Sequence, residues 1–462
     1  MMQTGKSSGE AHTSAYIRSE RGRRRPEPVH PQALGPVEPG PEGYDMMKEK
    51  LRKLLIAAGA LAVISATSAF AAGWTTNTSG EPVYMQDNGT VAANAWIKAE
   101  SNGQVIWYYA TGNGTLKKGG WQTVGGYRYY FDEMGVMQTG WVDGNSYYCN
   151  PNTGAAVSGW QYLTIPEEDQ SFYEDDVNYS TNHAAWYFFA TGTNKKYASD
   201  SYNVTVKTIN GLKYGFDENG VMQLGWSKVQ DTTPEISGYM YFAMKTDDHF
   251  KQGQLIENTW YTTTGPQNSD GSYDESLASG DVEYFYFRSN GRPAAGTNGN
   301  FLVQSISGKK YLFNEKGNPV YGMQKGSTTT DASVHYYYCG SSRADCSVKT
   351  GRFVMTEADG DKITYYAESN GRGYTGVKNG YLYYEGRLQQ ADQSAKYQTC
   401  YVDGKNYVIS YSGLVMKSKT NLRDADGNKV STNADGTLKA NLDGSLEAMT
   451  ATPPDVDDID GG

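Results

Sequence analysis

From Gly120 to Trp141 the chain reads GWQTVGGYRYYFDEMGVMQTGW, in which aromatic and apolar residues alternate with polar ones over short runs that end at Asp, Asn or Gly. Alternation with a period of two, bounded by turn formers, predicts β-strands rather than helices. Tyr129, Tyr130 and Phe131 fall in a strand, and Asp132, Glu133, Met134 and Gly135 reverse it, with Gly135 accepting positive φ at little steric cost. The same phrase recurs as GWVDGNSYYCNPNTGAAVSGW from Gly140 to Trp160 and as INGLKYGFDENGVMQLGW from Ile209 to Trp226. A lone hairpin of this length is marginal in water, whereas stacked copies bury one another's aromatic faces. The expected fold is therefore all-β, a solenoid of stacked aromatic-rich β-hairpin repeats of about twenty residues each.

The spacing from Trp96 to Trp121 to Trp141 to Trp160 is 25, 20 and 19 residues, and all nine tryptophans lie between Trp74 and Trp260. Residues 72–260 are accordingly expected to hold tryptophan-rich repeats, the first of them degenerate, around VYMQDNGTVAANA. Two polar runs, Ile165 to Ala184 and Gly192 to Val206, are expected as loops projecting from the stack. The hairpin signature continues without tryptophan in VEYFYFRSNGRP, GKKYLFNEKGNPVYGM, VHYYYCGSS, ITYYAESNGRGYTG, GYLYYEGRLQ and GKNYVISYSGLVM, so residues 261–416 read as divergent β-hairpin repeats. Residues 417–462, rich in Asp, Asn and Gly, read as an acidic, disordered tail.

Between Met46 and Ala72, Lys48, Lys50, Arg52 and Lys53 precede an apolar run from Leu54, and Ala69-Phe70-Ala71 supplies the small residues of a cleavage point. That order predicts a secretory signal over 46–71, cut before Ala72. The apolar run is short for a transmembrane anchor and polar chain follows it, so the mature protein is expected to be secreted, with no membrane association. Residues 1–45, with Arg23-Arg24-Arg25 and several prolines, read as a disordered leader or as an artefact of a gene start placed ahead of Met46 or Met47.

With 38 Tyr, 54 Gly and 20% charged residues, the core must be built from rings. A net charge of -10 argues against nucleic acid, whose phosphates need a basic surface. Cys149, Cys339, Cys346 and Cys400 sit in an exported chain, where disulfides are permitted. Cys339 and Cys346 flank Gly340 to Asp345 and could staple one hairpin; buried free thiols among aromatics are the alternative. No metal site is expected, because no histidine pair accompanies the cysteines. Asp424, Asp426, Asn428 and Asp435 imitate a calcium loop, but Lys429 takes its glycine place.

His183, His249 and His335 stand apart, with no HExxH motif or nucleophile elbow. Glu167, Glu168, Asp175 and Asp176 share a polar loop and read as a solvated cluster rather than as carboxylates flanking a glycosidic bond. No catalytic residue and no cofactor are expected.

The repeated Gly-Trp, Tyr-Tyr-Phe-Asp, Gly, Met, Gly-Trp pattern resembles the cell-wall-binding, or choline-binding, repeats of Gram-positive surface proteins, best over residues 96–226. Related hairpins occur in the glucan-binding repeats of glucansucrases and in clostridial toxins. The resemblance implies an aromatic cage for a quaternary ammonium, formed by one hairpin and its successor, with a methionine nearby. Carried onto this chain, one cage uses Trp96, Trp107, Tyr129 or Tyr130, and Met137. A second uses Trp160, Trp186, Tyr214 and Met222. The place of Trp107 holds Arg128, Ser146 and Lys213 in other units, where no choline cage is expected. The implied partner is a cell-wall polymer, either choline-substituted teichoic acid or another polysaccharide. A non-catalytic wall-binding protein is the first reading, an α-glucan-binding module the second, and a wall hydrolase with an unrecognised site the third.

Overall fold

The computed structural model of the chain describes residues 72–456 apart from 102, 177, 180–181, 230–234, 246, 268–276, 279–280 and 358–359. The expected leader and signal, 1–71, lie outside the described residues. The described chain forms two compact units, residues 72–202 with 216–222, and residues 203–215 with 223–456.

In the first unit the alternating runs close into antiparallel hairpins. Gly73–Thr76 pairs with Pro82–Met85, Ala95–Ser101 with Gln104–Ala110, and Gly120–Val124 with Tyr127–Phe131. Gly140–Val142 pairs with Tyr147–Cys149, and Gly159–Thr164 with Ala184–Phe189. Where two residues connect the strands, as at Gly125-Gly126, both have positive φ (58° and 84°), the conformation that matches the twist of paired strands.

After the second strand the chain turns again. The Asp132 carboxylate accepts from the backbone N–H groups of Met134 and Val136, Gly135 sits at φ 85°, and the chain returns to bridge Phe131 with Met137. Equivalent returns bridge Ala110 with Leu116, Cys149 with Ala156, Phe189 with Lys196 and Phe216 with Met222. The residue that returns is thus fixed by register: Leu116, Met137, Ala156, Lys196 and Met222 occupy one repeated place.

The polar insertion after Thr164 does not simply project. Ile165, Tyr173 and Tyr179 are buried, the Tyr173 hydroxyl donates to Asp217 and the Tyr179 hydroxyl to the Met222 carbonyl. Three apolar side chains spaced among acidic residues are enough to fold the loop back. The short helix Glu167–Gln170 within it has no buried residue.

The second unit begins with hairpins of the same kind, including Gly225–Lys228 with Tyr239–Phe242, Thr259–Thr264 with Val282–Phe287, and Leu302–Ile306 with Lys309–Phe313. From Gly351 the hairpins merge. Gly351–Thr356, Lys362–Ala367, Arg387–Leu388, Tyr381–Tyr384 and Gly376–Lys378 make one five-stranded sheet. The core changes with the topology, from rings around Trp226, Tyr241, Phe285 and Phe287 to aliphatic clusters around Val402, Ile409 and Val415.

The expected disordered tail is corrected by this unit. Leu422–Arg423, Lys429–Thr432 and Leu438–Asp443 form a sheet, and Ala448–Met449 pairs in parallel with Thr399 and Cys400. Leu422, Val430 and Leu446 are buried against Val408, which anchors a segment whose composition is otherwise polar. The four cysteines are buried thiols, so Cys339 and Cys346 do not form the staple, and the alternative of free thiols holds. Among the described residues no helix is long and apolar enough to cross a membrane.

Candidate functional site: aromatic cages between hairpins

Successive hairpins of the first unit meet through one repeated contact. Trp74 lies 5.3 Å from Tyr84 of its own hairpin and 4.8 Å from Tyr108 of the next. Trp96 lies 5.1 Å from Tyr109 and 4.8 Å from Tyr129, Trp121 lies 5.2 Å from Tyr130 and 4.7 Å from Tyr147, and Trp141 lies 5.3 Å from Tyr148 and 4.8 Å from Tyr187. The rings are mostly edge-on or tilted, the arrangement their quadrupoles favour.

Strand alternation sends consecutive tyrosines to opposite faces. Tyr130 pairs with Trp121 in its own hairpin, so Tyr129 is the ring that faces Trp96. Of the two tyrosines considered for the first cage, the structure brings Tyr129 to it. Trp107 is opposite Lys98 while Trp96 is opposite Tyr109, which puts Trp107 on the face of Trp96, one diagonal step away and within reach of a large side chain. Trp96 is 36% exposed and Trp107 half-buried, so these rings are open to a ligand.

The methionine place is fastened beside the place of Trp107 by the backbone. The N–H of Ala156 donates to the Arg128 carbonyl, that of Lys196 to Ser146, and that of Met222 to Trp186. Met137 extends over the following turn, where a Cβ on Gly154 would stand 2.2 Å from its Sδ. Strand register thus repeats four places at each junction: an opening tryptophan and the place of Trp107 from one hairpin, then the first tyrosine and the methionine place of the next.

In the second predicted set, Trp160 lies 5.1 Å from Phe188 and 6.4 Å from Trp186, and Met222 is buried with its N–H on the Trp186 carbonyl. Tyr214 belongs to the other compact unit, where it is buried and bridged to Gln254. Sequence reasoning missed Tyr162, which is 5.4 Å from Trp186 and 51% exposed; its spacing two residues after Trp160 was the available signal. It also missed a cage-like group in the second unit. There Trp260 lies 6.3 Å from Tyr284, 5.3 Å from Tyr286 and 5.1 Å from Tyr311, in the same register as Trp96 with Trp107, Tyr109 and Tyr129. Trp226 repeats the contact but is fully buried against Phe285 and Phe287, and donates its indole N–H to the Thr264 carbonyl.

Two cages hold a cation of the chain itself. The Arg128 guanidinium lies 4.4 Å from the Trp121 ring and 5.7 Å from Tyr147. The Lys196 ammonium lies 5.3 Å from Trp141 and 6.0 Å from Tyr187. Burial lowers the Lys196 pKa, against the raising influence of Asp169, Asp217 and Glu168. Lys213 instead pairs with Glu257 at 2.6 Å. Among the described residues no group of His, Cys, Asp and Glu could hold a metal ion.

The family model of the choline-binding repeat matches residues 117–160, the segment that contains the Trp121 and Trp141 hairpins. Over those residues the chain is similar to a choline-binding repeat. Over 258 residues, 54% of the chain, it is 29% identical to Glucosyltransferase-S of Streptococcus mutans serotype c, spanning 14% of that protein's length. Among solved structures it is similar to choline binding protein F of Streptococcus pneumoniae, with 18% identity, 75% of this chain and 99% of that chain covered, and a TM-score of 0.33. It is likewise similar to CbpJ of the same species, with 18% identity, 75% and 100% coverage, and a TM-score of 0.35.

Proposed function

We propose that this chain is an exported, non-catalytic protein that attaches to the Gram-positive cell wall through a solenoid of hairpin repeats, taking choline groups of wall teichoic acid into its open cages. The observation that carries the reading is the group of Trp96, Tyr109 and Tyr129, with Trp107 on the same face and Met137 on the next hairpin. A quaternary ammonium cannot donate a hydrogen bond, so ring faces and edge dispersion are what can hold it. Each such contact contributes about 0.5 to 2 kcal/mol according to desolvation. Several weak cages on one chain then retain it on a repetitive polymer through effective concentration. The second proposed cage combines Trp160, Trp186 and Met222.

A second reading, binding of an α-glucan, is favoured by the match to Glucosyltransferase-S and by the cations that replace Trp107 in neighbouring hairpins. The two separate in one experiment. Secreted protein is applied to purified walls bearing choline and to walls stripped of it, then eluted with choline or soluble α-glucan. Retention only on choline-bearing walls, with release by choline, supports the first reading; equal retention with release by glucan alone supports the second.

A further inference from the structure

Arg128 and Lys196 stand at different places in their repeats, yet both end in the same relative position. Arg128 takes the place of Trp107 in its hairpin, and its guanidinium spans Trp121 and Tyr147. Lys196 takes the methionine place of its hairpin, and its ammonium spans Trp141 and Tyr187. Each cation is held from the far side by a turn carbonyl belonging to the hairpin after the cage. Arg128 Nη1 donates to the Thr193 carbonyl, and Lys196 Nζ donates to the Asn219 carbonyl at 2.7 Å. The stem of Lys196 also fills the space above Gly220, as Met137 fills that above Gly154. Two different sequence solutions converging on one geometry argue for a fixed occupant rather than a passing side chain.

We propose that Arg128 and Lys196 are built-in ligands that close these two cages, so that they are specificity-determining residues setting which cages admit an external quaternary ammonium. The inference rests on the reading that open cages bind such a cation. A tethered, hydrogen-bonded charge needs no association entropy and excludes a soluble competitor. By contrast, no side-chain cation among the described residues lies over Trp96, Tyr109 or Tyr129.

The test counts choline sites on the full secreted chain by equilibrium dialysis and calorimetry. Arg128→Trp, and Lys196→Met made together with Ser146→Trp, install residues that other hairpins use at those places, as at Trp107 and Met137. Each change is expected to add one choline site per chain and the two combined to add two, while Arg128→Lys, which keeps the cation, and Ser146→Trp with Lys196 retained add none. If Arg128→Trp does not fold, Arg128→Gln, which keeps an amide for the Thr193 carbonyl but no charge, serves for the same cage. Folded variants, verified by near-ultraviolet circular dichroism, that bind no more choline than the wild type overturn the proposal while leaving wall binding by open cages intact. Variants that bind when the wild type does not uphold it and overturn the choline reading of the open cages. No binding by wild type or variants overturns both.

Discussion

Tyr129 lies 4.8 Å from Trp96 of the hairpin before it, while its neighbour in the chain, Tyr130, is paired with Trp121 of its own hairpin. Two consecutive tyrosines therefore serve different purposes, one joining repeats and the other closing a repeat. The alternation of a strand is what divides them.

Trp107 and Trp186 lie beside the ring contacts of Trp96 and Trp160 without being the main link between hairpins. Replacing both with Ala is expected to weaken choline binding at least tenfold and to leave the far-ultraviolet spectrum unchanged. Titration calorimetry on the purified double variant measures it; undiminished affinity would remove these residues from the site.

Trp226 is the opposite case, a fully buried ring whose indole N–H is already satisfied by Thr264. Trp226→Ala should cost about 3 to 5 kcal/mol of stability by opening a cavity. Choline affinity of the folded fraction should not change. Denaturant unfolding gives the first quantity and titration the second.

Gly154 has φ 71°, and a Cβ there would stand 2.2 Å from the Met137 sulfur. Gly154→Ala should therefore lose about 1 to 2 kcal/mol from the left-handed backbone alone, with a further loss unless Met137 swings away. A lowered Tm together with weakened choline binding is the expected pair of effects, because the turn glycine and the methionine share one space.

Several turn carboxylates sit below their ordinary pKa. Asp331 is held down first by the Ser333 N–H, with Arg372 and His335 adding to it, and Asp392 and Asp435 by Ser394 and Thr437. A carboxylate whose folded pKa is depressed contributes stability above its unfolded value, near pH 4, and loses it as pH falls through the folded value. Tm should thus fall as pH drops from about 4 toward 2, and Asp331→Asn should flatten part of that slope.

Cys149 and Cys400 are buried, and burial pushes each thiol up to about 11. Since the thiolate is the reactive form, iodoacetamide at pH 8 should leave both unmodified in the native protein and label them in denaturant. Mass spectrometry after a timed exposure checks this.

The hairpins were legible because Gly-Trp and Tyr-Tyr repeat in phase with the turns, and strand alternation sufficed to pair Trp121 with Tyr130. The cage partners were only half legible. Which of Tyr129 and Tyr130 faces Trp96 depends on how one hairpin seats on the next, and a sequence window does not contain that. Arg128 stands out in the sequence as a residue unlike tryptophan, but Lys196 does not, because it reaches Trp141 from a methionine place in the following repeat, a distance of 55 residues along the chain. The tail was misread for a related reason. Leu422, Val430 and Leu446 are too sparse to make a local pattern, and their burial comes from Val408 in an earlier strand.

The most direct measurement is a crystal structure of the chain soaked in choline. Density for the trimethylammonium group between Trp96, Trp107 and Tyr129, with the Trp121–Tyr147 cage still filled by Arg128, is the predicted result. Choline density absent from the Trp96 cage, or lying over Trp121 in place of Arg128, would contradict the account.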